Sequence, residues 1–159
     1  MIEEGFFLPD RYFMTSGFGR GDTQLVAFDD ALINAGVADL NLMKLSSIVA
    51  PGCIRIQPVK IIPGSFVGVA YAHNIGTHTG ERISSAIAIG HPKDKRRASL
   101  IMEYSSSMPA FETEAVVKQM VIEGLKNRKL EIEHIESISV ECVVDKISYA
   151  ATFAAVVEL

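Results

Sequence analysis

Residues 41–53, NLMKLSSIVAPGC, begin like a buried strand and end in chain breakers. Leu42, Met43, Leu45, Ile48 and Val49 are strand-like apolar residues, and Pro51-Gly52 stops the run. Two adjacent serines, Ser46 and Ser47, stand where such a strand wants apolar side chains. One reading is an ordinary strand end entering a turn, since serine hydroxyls readily bond to neighbouring backbone. The other is that one serine is consumed to make a reactive group.

Working outward, residues 11–16 read as a short strand that Gly17-Phe18-Gly19-Arg20-Gly21 is expected to break. Asp22 or Thr23 can cap a helix running to about Ala35, with Gly36 as its stop. Leu25, Phe28 and Leu32 form an apolar stripe on that helix, Asp29 borders the stripe, and Asp30 is expected in solvent. Strand-like runs cover residues 40–49, 66–75, 82–90 and 99–104, with a proline-punctuated bend over 54–63. A second helix is expected from Pro109 to about Lys129, with Gly124 allowing close approach to a sheet. Ile138, Val140, Cys142 and Val144 alternate with mostly polar neighbours as a strand does, and residues 147–157 form a last strand. Six or more strands with two helices indicate an α+β fold with helices on the outer faces of sheets.

The 159 residues, 48% hydrophobic, suit one domain over residues 1–159 that buries about 70% of its unfolded surface. No apolar run approaches the roughly 18 residues of a membrane span, and the N-terminus lacks the pattern of a signal peptide. Cys53 and Cys142 make no disulfide framework, so a reducing cytoplasm is expected. The net charge of −4 and the short Lys93–Arg97 charge run, which holds no aromatic residue, argue against nucleic acid.

The chemistry open to a serine pair is specific. A serine hydroxyl held against the preceding carbonyl can attack it and turn the amide into an ester. β-Elimination then cleaves the chain, and hydrolysis of the resulting dehydroalanine leaves a pyruvoyl group. Its ketone can form a Schiff base with an amine and act as an electron sink. The reaction needs a serine after the scissile bond, a polar group for the oxyanion, and shelter from water.

The run AFDDALINAGVADLNLMKLSSIVAP, with HPKDK and LIMEY, resembles the pyruvoyl-dependent arginine decarboxylases over nearly the whole chain. The resemblance implies a β-sandwich flanked by helices, layered α-β-β-α, in a chain that cleaves itself between Ser46 and Ser47. Residues 1–46 would become a β chain, and residues 47–159 an α chain headed by a pyruvoyl group derived from Ser47. It further implies decarboxylation of L-arginine to agmatine and CO2 without pyridoxal phosphate or metal, in a homotrimer of αβ units with sites between protomers.

Carried over residue by residue, Ser47 is the cofactor precursor and Asn41 the amide that assists self-cleavage. Glu103 is the proton donor, and its apolar neighbours in SLIMEY fit a carboxyl kept protonated by burial. Asp29 receives the substrate guanidinium, which a carboxylate can grip by two parallel hydrogen bonds. Leu25 is a wall for the substrate methylenes, and Ala38 and Leu40 line the same pocket. His73, His78, His91 and His134 show no i, i+4 pair, so no metal site is expected. GFGRG fits neither a P-loop nor a dinucleotide fingerprint. Two other readings stay open: a domain of this fold that binds a ligand or assembles without cleaving, and a pyruvoyl decarboxylase of another basic amino acid.

Overall fold

The computed structural model describes residues 7–146 and 148–159. Residues 1–6, on which the signal-peptide reading rests, and Ile147, the expected start of the last strand, lie outside them. The elements run β1 (Arg11–Gly21), α1 (Gln24–Ala35), β2 (Asn41–Lys44), β3 (Ile48–Val49), β4 (Ile54–Arg55), β5 (Phe66–Gly76) and β6 (Arg82–Pro92). They continue with β7 (Ser99–Ser106), α2 (Ala110–Asn127), β8 (Ile132–Val143) and β9 (Tyr149–Glu158). A five-stranded sheet has the order β2-β5-β9-β1-β4 and a four-stranded sheet the order β3-β7-β6-β8. The mixed α+β class expected from the sequence is the class observed.

The glycine-rich GFGRG does not break β1; it lies inside it. A Cβ on Gly17 or Gly19 would run into the α1 backbone around Ala27, Ala31 and Ala35, so the bare strand lets the helix lie directly on the sheet. The helix answers with Ala27, Ala31 and Ala35 as its buried face. That face overturns the expected stripe: Phe28 and Leu32 are partly buried, whereas Leu25 is 76% exposed. Asp30 is not free in solvent either, because it accepts the Arg20 backbone N–H at 2.9 Å. The ends of α1 follow the sequence reading. Thr23 accepts the Val26 N–H at 3.2 Å, and Gly36 closes the helix at φ 76°.

Three of the four apolar clusters among the described residues join a helix to a sheet or one sheet to the other. The first joins α1 to the five-stranded sheet through Phe13, Val69, Phe153 and Val157. The second joins the two sheets through Tyr12, Ala70, Ile87, Ile89, Ile101 and Val156. The third joins the four-stranded sheet to α2 through Ala86, Leu100, Val117, Val121 and Leu125. Gly124 is a close approach, as expected, since a Cβ there would strike Leu100 and Met102. Hydroxyls add satisfied polar links between the sheets, with the buried Ser85 bonded to Thr152 at 2.8 Å and the partly exposed Ser105 to the His73 carbonyl at 2.9 Å. Among the described residues no helix is long and apolar enough to cross a membrane.

The expected strand over 40–49 is two strands in two different sheets. β2 pairs parallel with β5 in the larger sheet, and β3 pairs antiparallel with β7 in the smaller one. Only Leu45, Ser46 and Ser47 connect them.

One buried group makes stability depend on pH. Glu158, 4% exposed, has an Oε1 without a hydrogen-bond partner among the described residues, and burial raises its carboxyl to about 7. The unfolded chain releases that proton near the ordinary value of 4.5, so stability contributed by the neutral form is lost as pH rises towards 7. Glu158→Gln keeps the shape and removes the ionisation. We expect it to stabilise the fold at pH 8 by on the order of 2–3 kcal/mol while changing little at pH 4. Urea unfolding of both proteins at the two pH values checks this; an equal midpoint at pH 8 contradicts it.

Candidate active site

The serine pair occupies the step between the two sheets. The four Cα steps from Lys44 to Ile48 reach at most about 14 Å, so the crossing between the sheets has little slack. The two ends of the step are tied. Leu45 donates its N–H to the Val69 carbonyl at 3.0 Å, and the Ser47 carbonyl accepts the Ile101 N–H at 2.9 Å. Between these ties Ser47 adopts φ 75°, a left-handed conformation that only a few per cent of non-glycine residues use. Local backbone strain is therefore concentrated at the residue expected to change chemically. Ser46 is exposed and Ser47 half-buried.

The Ile101 tie also brings Glu103 into the neighbourhood. Glu103 lies two residues along β7 from Ile101, on the same face of the strand, and that face looks towards the other sheet. Its Oε2 is buried and has no hydrogen-bond partner among the described residues. Burial pushes the carboxyl above the usual carboxylate range, while Lys44 and the Tyr71 backbone N–H pull it back. Lys44 Nζ stands 3.8 Å from the other oxygen, Oε1, and 4.5 Å from the centre of the Tyr71 ring. The arrangement holds one oxygen near a cation and leaves the other free.

Lys44 and Tyr71 were not among the residues singled out in the sequence. A lone cation in the apolar run NLMKL was the available signal for Lys44. Tyr71 carried no such signal, because its link to Lys44 depends on the pairing of β2 with β5.

The aromatic contacts continue to the helix. Tyr71 packs beside His73, and Phe28 of α1 touches both, with ring centres 6.4 Å and 5.4 Å away. Burial, with Lys44 nearby, lowers the His73 imidazole from its ordinary value. Asp29 follows Phe28 and is exposed. A contact path thus runs from the Asp29 turn through Phe28, Tyr71 and Lys44 to Glu103, although no hydrogen bond or ion pair among the described residues joins Asp29 to that centre.

The other expected site residues lie elsewhere in the chain. Asn41 is at the far end of β2 from Ser47, and its Nδ2 donates to the Gly64 carbonyl at 2.8 Å. Ala38 and Leu40 line a separate cavity of about 200 Å3 with Ile33, Asp39, Ile61 and Pro63. Leu25 projects from the first turn of α1 into solvent.

Beside the serine step are two further cavities, both bordered by Glu158. One, of about 360 Å3, includes Leu45, Ser46 and Ile48 in its wall. The other, about 600 Å3 and mainly apolar, includes Met43, Leu45, Phe66 and Leu159.

Comparisons with known proteins identify the family of the chain. The family model described as pyruvoyl-dependent arginine decarboxylase matches residues 11–159. A pyruvoyl-dependent arginine decarboxylase of Methanocaldococcus jannaschii is 40% identical over 150 residues, covering 94% of this chain and 91% of the relative. That of Methanococcus aeolicus is 39% identical over 156 residues, covering 98% and 93%, respectively. That of Thermococcus kodakarensis is 35% identical over 150 residues, covering 94% of each. The serine step with Glu103 beside it therefore sits in a chain that belongs to the pyruvoyl-dependent arginine decarboxylase family.

Proposed function

We propose that this chain cleaves itself between Ser46 and Ser47 and then decarboxylates L-arginine to agmatine and CO2. The observation that carries the proposal is the left-handed Ser47, tied to Ile101 in the step between sheets, with the unpartnered Glu103 Oε2 on the same strand. In the self-cleavage, Ser47 Oγ attacks the Ser46 carbonyl carbon and the peptide nitrogen is released as an amine, forming an ester. Loss of the Cα proton of residue 47 expels the Ser46 carboxylate and leaves dehydroalanine. That elimination separates residues 1–46 from residues 47–159, and water then displaces ammonia from the dehydroalanine to leave a pyruvoyl group at position 47. Relief of the left-handed backbone at residue 47 favours this sequence.

The residues present fit a pyruvoyl group at position 47, because the free Glu103 oxygen offers a polar partner in an otherwise apolar setting. When formed, that group supplies the electron sink for loss of CO2. The chain does the rest. Asp29 receives the guanidinium, whose planar fork matches a carboxylate. Glu103, whose carboxyl burial shifts towards the protonated form, delivers its proton to the substrate Cα once CO2 has left. Lys44 holds Glu103 Oε1 and so aims Oε2, the oxygen that carries the proton.

We read the architecture as a β-sandwich layered α-β-β-α, from the three clusters that join α1, the two sheets and α2. The functional unit in this reading is a trimer of αβ units with sites completed between protomers. Exposed apolar side chains at Leu25, Ile33, Met43, Ile62 and Phe66 support an assembling surface. The separation of Asn41, Ala38 and Leu40 from Ser47 within one chain supports it too. Asn41 then acts in self-cleavage across a protomer boundary. A reducing cytoplasm suits the two free cysteines.

Three outcomes test the scheme. Ser47→Ala, lacking the nucleophile, is expected to remain one full-length chain by intact mass spectrometry, whereas wild type gives two; a cleaved variant rejects the acyl shift. Glu103→Gln is expected to mature yet lose most of its turnover, because an amide cannot deliver the proton; wild-type kcat in the matured variant removes Glu103 from that role. Asp29→Asn is expected to mature normally and to lower kcat/KM for arginine roughly ten- to a hundredfold. An unchanged kcat/KM there makes Asp29 an ordinary surface carboxylate.

A further inference from the structure

His91 and His134 are distant in sequence, and neither has a histidine partner at helical spacing. The antiparallel pairing of β6 with β8 puts them directly opposite one another, next to the register shift between His91 and Pro92. Their rings stack with centres 4.4 Å apart and planes 16° from parallel. Glu136 lies two residues beyond His134, on the same face of β8. His91 Nε2 is 3.8 Å from Glu136 Oε2, and His134 Nε2 is 3.8 Å from Glu136 Oε1. One ligand atom from each of the three residues falls within 4.8 Å of the others.

We propose that His91, His134 and Glu136 form a divalent transition-metal site of the zinc type, which clamps β6 to β8 and leaves the fourth position to water. Two imidazole nitrogens and one carboxylate oxygen are a zinc-like donor set, whereas magnesium and calcium take oxygen donors. An ion held at about 2.0–2.1 Å in a tetrahedron needs ligand atoms about 3.4 Å apart, so small side-chain rotations close the set.

The supporting bonds are already in place. Ser99 Oγ bonds His91 Nδ1 at 2.9 Å, which leaves Nε2 turned to the carboxylate. The Tyr12 hydroxyl donates to Glu136 Oε2 at 3.0 Å and lies 3.4 Å from His91 Nε2. Outer hydrogen bonds of this kind orient metal ligands.

Access is open on two sides. His134 is half exposed, and His91 and Ser99 border a cavity of about 310 Å3 that also touches Cys53, Lys95 and Arg97. Two cations oppose the ion. Arg55 Nη1 is 3.5 Å from Glu136 Oε1, and its half-exposed side chain must turn outward. Lys95 is already paired with Glu133. None of Ser47, Glu103, Lys44 or Asp29 takes part, so the site stands apart from the proposed decarboxylation.

Calorimetric titration of the metal-stripped full-length protein with zinc chloride tests the site. We expect one zinc per chain with Kd of about 10 µM or tighter, a raised Tm, and no response to magnesium at the same concentration. His134→Ala, at a half-exposed position that tolerates truncation, is expected to weaken binding at least tenfold, and His91→Gln to do the same. His78→Ala, in the Thr77–Glu81 turn, is expected to bind as wild type. Absence of saturable zinc binding below about 100 µM overturns the proposal. So does undiminished affinity in both His134→Ala and His91→Gln, or a loss in His78→Ala that matches theirs.

Discussion

The chain crosses from one sheet to the other in three residues, and the proposed chemistry hangs on that crossing. Leu45 is the last residue tied to the five-stranded sheet, and Ser47 is the first tied to the four-stranded one. Such a short step cannot spread its distortion over a flexible loop. The distortion falls on Ser47, whose φ of 75° would suit glycine better. The same tie, Ser47 carbonyl to Ile101 N–H, sets how far β7 reaches along the step and brings Glu103 up to it.

Around the crossing, charge and burial are set against one another. Glu103 and Glu158 are carboxyls pushed towards neutrality by burial, yet among the described residues only Glu103 has a cation at hand. Lys44 stays half exposed, over the Tyr71 ring, where its charge remains partly solvated while it reaches Glu103. A lysine buried at this position would raise the desolvation penalty for both partners. The site therefore keeps one acidic oxygen dry and unengaged without isolating a bare charge.

The helices anchor this arrangement by opposite means. α1 lies on a strand stripped of side chains at Gly17 and Gly19 and meets it with alanines, so backbone packs close to backbone. α2 instead presents Val117, Val121 and Leu125 to Ala86, Ala88 and Leu100. The close seat of α1 brings Phe28 onto Tyr71 and His73 of β5, the strand next to the edge strand β2.

Local signals were sufficient wherever a single residue's backbone chemistry decides the outcome. Gly36 ends α1 in the sequence as it does in the structure, Thr23 is one of the two caps the sequence offered, and alternation revealed β8. The serine pair and the residues that accompany it carried the family resemblance, and the family comparisons agree with it. Signals failed where meaning depends on what packs opposite. GFGRG looks like a break until α1 is laid on it, and Leu25 looks like core until alanine proves to be the face that fits bare glycine. Residues 40–49 read as one strand because periodicity contains no information about which sheet receives each half. Sequence alone determined the element types, the α+β class and the serine pair. The tertiary structure decided that the pair bridges two sheets, that Lys44 meets Glu103, and that His91 meets His134. The physical reason is that pair contacts between strands are set by register and sheet assignment, which no local run of residues encodes.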